Sequence, residues 1–136
     1  MGQFLLDIRL LADKLREYNP TAIVAPIRGA LVPAVYLSHL LEGSKVIPYH
    51  MDKEHNLPEG VDWSRTLILD DISDAGATLS TLIARMSAHL SNVDAEGSFM
   101  IRTASLNTRY TTKVVPNYTA FALNDGRWVV FPWEQQ

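Results

Sequence analysis

Three aspartates stand at the end of an apolar run: Asp70, Asp71 and Asp74, in the stretch LILDDISDAGATL over residues 67–79. Thr66 to Leu69, four apolar or β-branched residues, read as a buried strand, and a buried strand that ends in adjacent carboxylates needs something to compensate them. The next residues are small: Ala75, Gly76 and Ala77, then Thr78. Small residues allow a sharp turn with consecutive N–H groups, which together with a helix N-terminus form an anion site. Thr78 can add a hydroxyl and cap that helix. A phosphate suits such a cradle, and carboxylates beside it suit sugar hydroxyls, a hard cation or both. The plainer alternative is a helix capped by Asp74 with a solvated Asp70–Asp71 pair. A second place for chemistry is Ile27-Arg28-Gly29-Ala30, where a cation and a glycine come directly after the apolar run AIVAP. Backbone N–H groups and a guanidinium there could stabilise a departing polyanion, or Arg28 could be an exposed arginine in a tight turn. Trp128 offers a face for a flat heterocycle, whereas Phe131 and Trp133 read as packing of a final strand.

These residues must be held by elements. Residues 3–18 put Phe4, Ile8, Leu11 and Leu15 on one helical face, which Asn19-Pro20 ends. AIVAP is an unbroken apolar run suited to a strand covered on both sides. A second helix spans roughly Pro33 to Leu41 and closes at Gly43; VIPY is a weak strand; His50 to Trp63, with Pro58 and Gly60, reads as a loop. TLILD is the clearest strand, and Thr78 to Leu90 has helical spacing at Leu79, Leu82, Ile83 and Met86. GSFMI is a further strand, with polar residues after it up to Pro116, and YTAFAL and WVVFP are the last. Strands alternating with helices at this spacing imply an α/β fold with a mainly parallel sheet, whose ligands gather at the carboxyl ends of the strands. The aspartate doublet lies at such an end.

Bulk properties bound the function. The chain has 136 residues, 47% apolar and 20% charged, which suits one domain, 1–136, with its own core. A net charge of −3 provides no electrostatic footprint for nucleic acid or an anionic membrane. With no cysteine, thiolate metal sites, disulfides and cysteine nucleophiles are excluded. No apolar run reaches the roughly 18 residues of a membrane span and no signal peptide opens the chain, so a cytoplasmic protein is expected. His39, His50, His55 and His89 share no ligand spacing, and no Gly-x-Ser-x-Gly elbow supports a hydrolase.

One molecule combines a phosphate, sugar hydroxyls and a metal-binding diphosphate: phosphoribosyl diphosphate. Thr66 to Thr78 resembles the signature of the type I phosphoribosyltransferases, with four apolar residues, two acidic, two apolar and a small-residue phosphate loop; Ser73 stands where a larger apolar residue is usual. PIRGALVPA is similar to the family's pyrophosphate loop, with Ala30 in place of the usual second glycine. WVVFPWE is similar to the base-binding end of the 6-oxopurine members. The three segments occur in the family's order and cover nearly the whole chain.

The resemblance implies the type I phosphoribosyltransferase fold with a reduced hood and lid, the lid formed by the loop 50–63. It implies transfer of the 5-phosphoribosyl group to guanine, xanthine or hypoxanthine with release of pyrophosphate. By the same resemblance Arg28 and Gly29 take the diphosphate, Asp70 and Asp71 the ribose hydroxyls and Mg²⁺, and Glu134 a second ion. Asp74, Ala75, Gly76, Ala77 and Thr78 hold the 5-phosphate, with Asp74 as general base towards the purine N7. Arg102, in a lysine's place, Trp128 and the carbonyl of Val129 bind the base. The implied partners are small-molecule substrates and further copies of the chain, as a homodimer or homotetramer, with no nucleic acid or membrane. Two alternatives stay open: a non-catalytic relative acting as a nucleotide sensor or RNA-binding regulator, and a transferase acting on a pyrimidine.

Overall fold

The computed structural model describes residues 2–27, 29–51, 57–73, 77–93, 99–109 and 116–123, of which 72–73, 93, 107–109 and 121–123 are described by backbone course alone. Helix α1 (Gly2–Leu15) buries Phe4, Ile8, Leu11 and Leu15, the face expected from their spacing, and the chain turns out of it through Asn19 at φ 49°. Strand β1 (Ala22–Pro26) is buried at every position, as an unbroken apolar run in a covered sheet should be. Helix α2 (Leu31–Leu41) carries Pro33 in its first turn, where a missing N–H costs nothing. Strands β2 (Lys45–Tyr49) and β3 (Arg65–Ser73), helix α3 (Ala77–Val93), and strands β4 (Met100–Arg109) and β5 (Tyr118–Leu123) complete the order.

The five strands form one sheet in the order β2-β1-β3-β4-β5, every neighbouring pair parallel. Because side chains alternate along a strand, each face of the sheet has its own core. On one face Ile23, Ala25, Leu67, Leu69, Ala104 and Leu106 pack with α1 and α2. On the other, Ala22, Val24, Ile47 and Ile68 pack with Leu79, Leu82, Met86 and Leu90 of α3. No helix among the described residues is long and apolar enough to cross a membrane.

The segment 50–63, read as a loop, is loop wherever it is described, and its Met51, Leu57, Val61 and Trp63 pack against the α3-side core. Arg85 of α3 donates to the Met51 carbonyl at 2.8 Å, and the Asp62 carbonyl accepts from the Thr21 hydroxyl at 2.7 Å. This segment leads the chain back to the amino end of β3, and its apolar residues join the core that α3 builds. One expectation, over β4, needs correction. The apolar run GSFMI implies a strand ending at Ile101, but β4 begins at Met100 and runs on through the polar-looking residues to Arg109. The reason is its place between β3 and β5: a central ladder holds the backbone while small or β-branched side chains at Thr103, Ala104 and Ser105 fit a buried surface.

Candidate active site

From β1 the chain steps outward to β2 and then returns to β3 on the other side of β1. The strand order therefore reverses between β1 and β3, and in an open parallel sheet the crevice outside the carboxyl ends of such a pair is where ligands bind. The register accentuates the crevice. The β1–β3 ladder runs through Ala22–Thr66, Ile23–Leu67 and Val24–Ile68, whereas β3 continues beside β4 as far as Ser73–Thr108. The acidic doublet belongs to this overhanging end of β3, so Asp70 and Asp71 stand inside a strand rather than after one.

The two carboxylates differ in environment. Asp70 is 8% exposed and accepts the Asp71 backbone N–H at 2.9 Å. Burial, together with the Asp71 side chain beside it, pushes the Asp70 carboxyl up to about 8, against the smaller lowering effect of that N–H. Asp71, half-buried, lies against Gly29 across the crevice: a Cβ placed on Gly29 would come within 2.7 Å of the Asp71 Cγ. This joins the β1–α2 turn to the acidic strand. Adjacent carboxylates, one held from ionising by burial and by the other, form a donor set that a hard cation would complete. Among the described residues no group of three or more histidine or acidic side chains gathers to hold a metal ion, here or elsewhere.

Helix N-termini reach the same edge from both faces. α2 starts at Leu31 directly after the Gly29–Ala30 turn, and Ala30 at its N-cap makes no side-chain capping bond, so the first amides of α2 are left for a ligand or solvent. α3 starts at Ala77 on the opposite face, with Thr78 half-buried in its first turn. Gly29, Asp70, Asp71, Ala77 and Thr78 are thus brought to one end of the sheet. Arg28, Asp74, Ala75, Gly76, Trp128, Val129 and Glu134 lie outside the described residues.

Arg102 is placed elsewhere. It pairs in register with Leu67, three residues before the Asp70–Ser105 pair and so ~10 Å towards the amino end of the sheet. There its guanidinium donates to the Tyr118 hydroxyl at 2.5 Å and lies 4.7 Å from the centre of the Tyr18 ring. Tyr18 in turn donates to the Thr66 carbonyl at 2.6 Å, with the Met100 carbonyl at 3.1 Å, and stacks on Tyr118 with ring centres 6.3 Å apart. Burial pushes the Tyr18 phenol up to about 12 even with Arg102 opposing it. Arg102 therefore takes part in a clasp of Tyr18 and Tyr118 at the foot of the sheet, away from Gly29, Asp70 and Asp71. Among the described residues β4 continues to Arg109, whose backbone is in register with Leu123 at the carboxyl edge.

No family model matches the chain, and no curated protein does. Solved structures do. A purine phosphoribosyltransferase from Pyrococcus horikoshii is 33% identical over 100% of this chain and 91% of its own, with a TM-score of 0.78. The xanthine-guanine-hypoxanthine phosphoribosyltransferase of Helicobacter pylori is 20% identical, over 98% of this chain and 90% of its own, with a TM-score of 0.76. A hypothetical protein of Neisseria gonorrhoeae with bound ppGpp is 20% identical, over 99% and 86%, with a TM-score of 0.72.

Proposed function

Since the chain belongs to the type I phosphoribosyltransferases and is most like their 6-oxopurine members, we propose that it transfers the 5-phosphoribosyl group of phosphoribosyl diphosphate to guanine, xanthine or hypoxanthine. The observation that carries this reading is the juxtaposition of Asp71 with Gly29 at the crevice between β1 and β3. It sets a carboxylate suited to ribose hydroxyls against a turn suited to a diphosphate. Asp70 and Asp71 bind those hydroxyls. Residues 74–78 hold the 5-phosphate on the N-terminus of α3, and Arg28, Gly29 and the first amides of α2 receive the diphosphate. The carboxylate pair fits Mg²⁺, which keeps much of its shell as water and substrate oxygens; when bound, it would neutralise charge on the leaving diphosphate. As the sugar–diphosphate bond breaks, positive charge develops on the ribose ring, and the Asp71 carboxylate beside it offsets that charge. Asp74 takes the proton from the purine nitrogen side, Trp128 stacks on the base and the Val129 carbonyl reads its edge.

A spectrophotometric screen with phosphoribosyl diphosphate, Mg²⁺ and each of guanine, hypoxanthine, xanthine, adenine, orotate and uracil tests the proposal. Turnover confined to the first three supports it, and turnover with orotate or uracil alone replaces it with a pyrimidine transferase. The ppGpp bound to the Neisseria protein favours one second reading, a regulator that senses nucleotides. Tight nucleotide binding without turnover on any base would establish that reading instead. Within the enzyme, Asp74→Asn is expected to lower turnover by roughly 10²–10⁴ with substrate binding largely kept. Near-normal turnover would remove Asp74 from its role.

A further inference from the structure

Glycines occur in this fold for two different physical reasons. Gly43 and Gly60 have φ of 93° and 76°, and a Cβ on either would meet nothing within 4 Å. Backbone conformation selects glycine there. Gly29 is the reverse case. Its φ lies outside the left-handed range, but a Cβ there would overlap the Asp71 carboxylate, with Cγ at 2.7 Å and Oδ1 at 3.2 Å. At 29 a Cβ would require a shift, and the space it would need is filled by the carboxylate end of one side chain on β3.

We propose that Gly29 is a positioning residue whose missing side chain seats the Asp71 carboxylate over the β1–α2 turn. The turn and the acidic end of β3 then act as one platform for a cation and the anion bound to it. The inference rests on the proposed transferase function and deepens it. Gly29 serves the site through Asp71, and not only by letting a diphosphate approach its backbone. The two explanations separate because they assign the penalty of a Cβ to different partners. If Asp71 is the partner, shortening Asp71 relieves a methyl group at 29. If the backbone must lie open to substrate, shortening Asp71 changes nothing.

The test is a double-mutant cycle on the full chain, read without substrate by thermal melting and by Mn²⁺ binding followed through the electron paramagnetic resonance of the free ion. Gly29→Ala should lower Tm by several degrees in the wild-type background and have almost no effect in the Asp71→Ala background. It should weaken Mn²⁺ binding roughly tenfold, the scale of coupling between residues in contact. Should Gly29→Ala fail to fold, a folded Gly29→Ala/Asp71→Ala chain is the expected rescue. An equal Tm penalty in both backgrounds, a double variant that also fails to fold, or Mn²⁺ binding that is absent from the wild type or indifferent to Gly29→Ala would each overturn the assignment. A positive cycle in a chain that turns over no base would leave the interlock standing and remove only the transferase reading.

Discussion

The Asp70 carboxyl is buried, with the Asp71 carboxylate next to it in the chain, and its protonation is a consequence of that setting. Its ionisation moves from an ordinary 3.8 to about 8 in the fold, burial being the main cause. The folded chain therefore binds this proton more tightly than the open chain does. Stability declines as pH rises from about 4 to about 8 and stays lower above that range, because the unfolded state has already released the proton. Melting curves of the metal-free protein across this window should show the decline, and Asp70→Asn, which has no charge to desolvate, should flatten it. A decline of equal size in that variant would assign the pH dependence to other groups. Arg102 makes a contrasting prediction at the same scale. Arg102→Ala removes the Tyr118 hydrogen bond and the contact over Tyr18, at a cost of about 1–3 kcal/mol in stability. KM for the base should stay as in the wild type; a raised KM would return Arg102 to the site.

At the scale of elements, α1, β1 and β5 are legible in the sequence because pattern and packing agree there. Phe4, Ile8, Leu11 and Leu15 recur at helical spacing and all are buried, and YTAFAL spans the whole of β5. β4 escapes a reading by hydrophobicity because its residues are small and polar, and a central strand needs shape and a ladder more than apolar side chains. The crossover over 57–63 is obscure for a related reason: Leu57, Val61 and Trp63 have no period, so only their packing on the α3-side core shows their role. The interlock of Gly29 with Asp71 is not legible at all, since the two residues meet only through the pairing of β1 with β3. α3 supplies Leu79, Leu82, Met86 and Leu90 to the core on its side of the sheet. Leu82 is fully buried there, so Leu82→Ala should lower unfolding free energy by about 2–5 kcal/mol in a denaturant titration. A loss below about 1 kcal/mol, well under that range, would mean that the crossover, not α3, provides that face.

At the scale of the molecule, ligands should stabilise the chain by mass action. Phosphoribosyl diphosphate with Mg²⁺ at about a hundred times its Kd would add ~2.7 kcal/mol, seen as a raised Tm that climbs with concentration. The same sugar without the metal should raise Tm less. The strand order also governs when a binding crevice can exist. β1 pairs on one side with β2, its successor in the chain, but its other partner, β3, arrives only after the crossover. During synthesis from the amino end, β1, α2 and β2 emerge first and can associate without any acidic residue near the turn at Gly29. The receptacle comes into being in a single late event, when β3 slots in beside β1. A nascent chain halted before residue 65 should be blind to the sugar, however well its first half has folded.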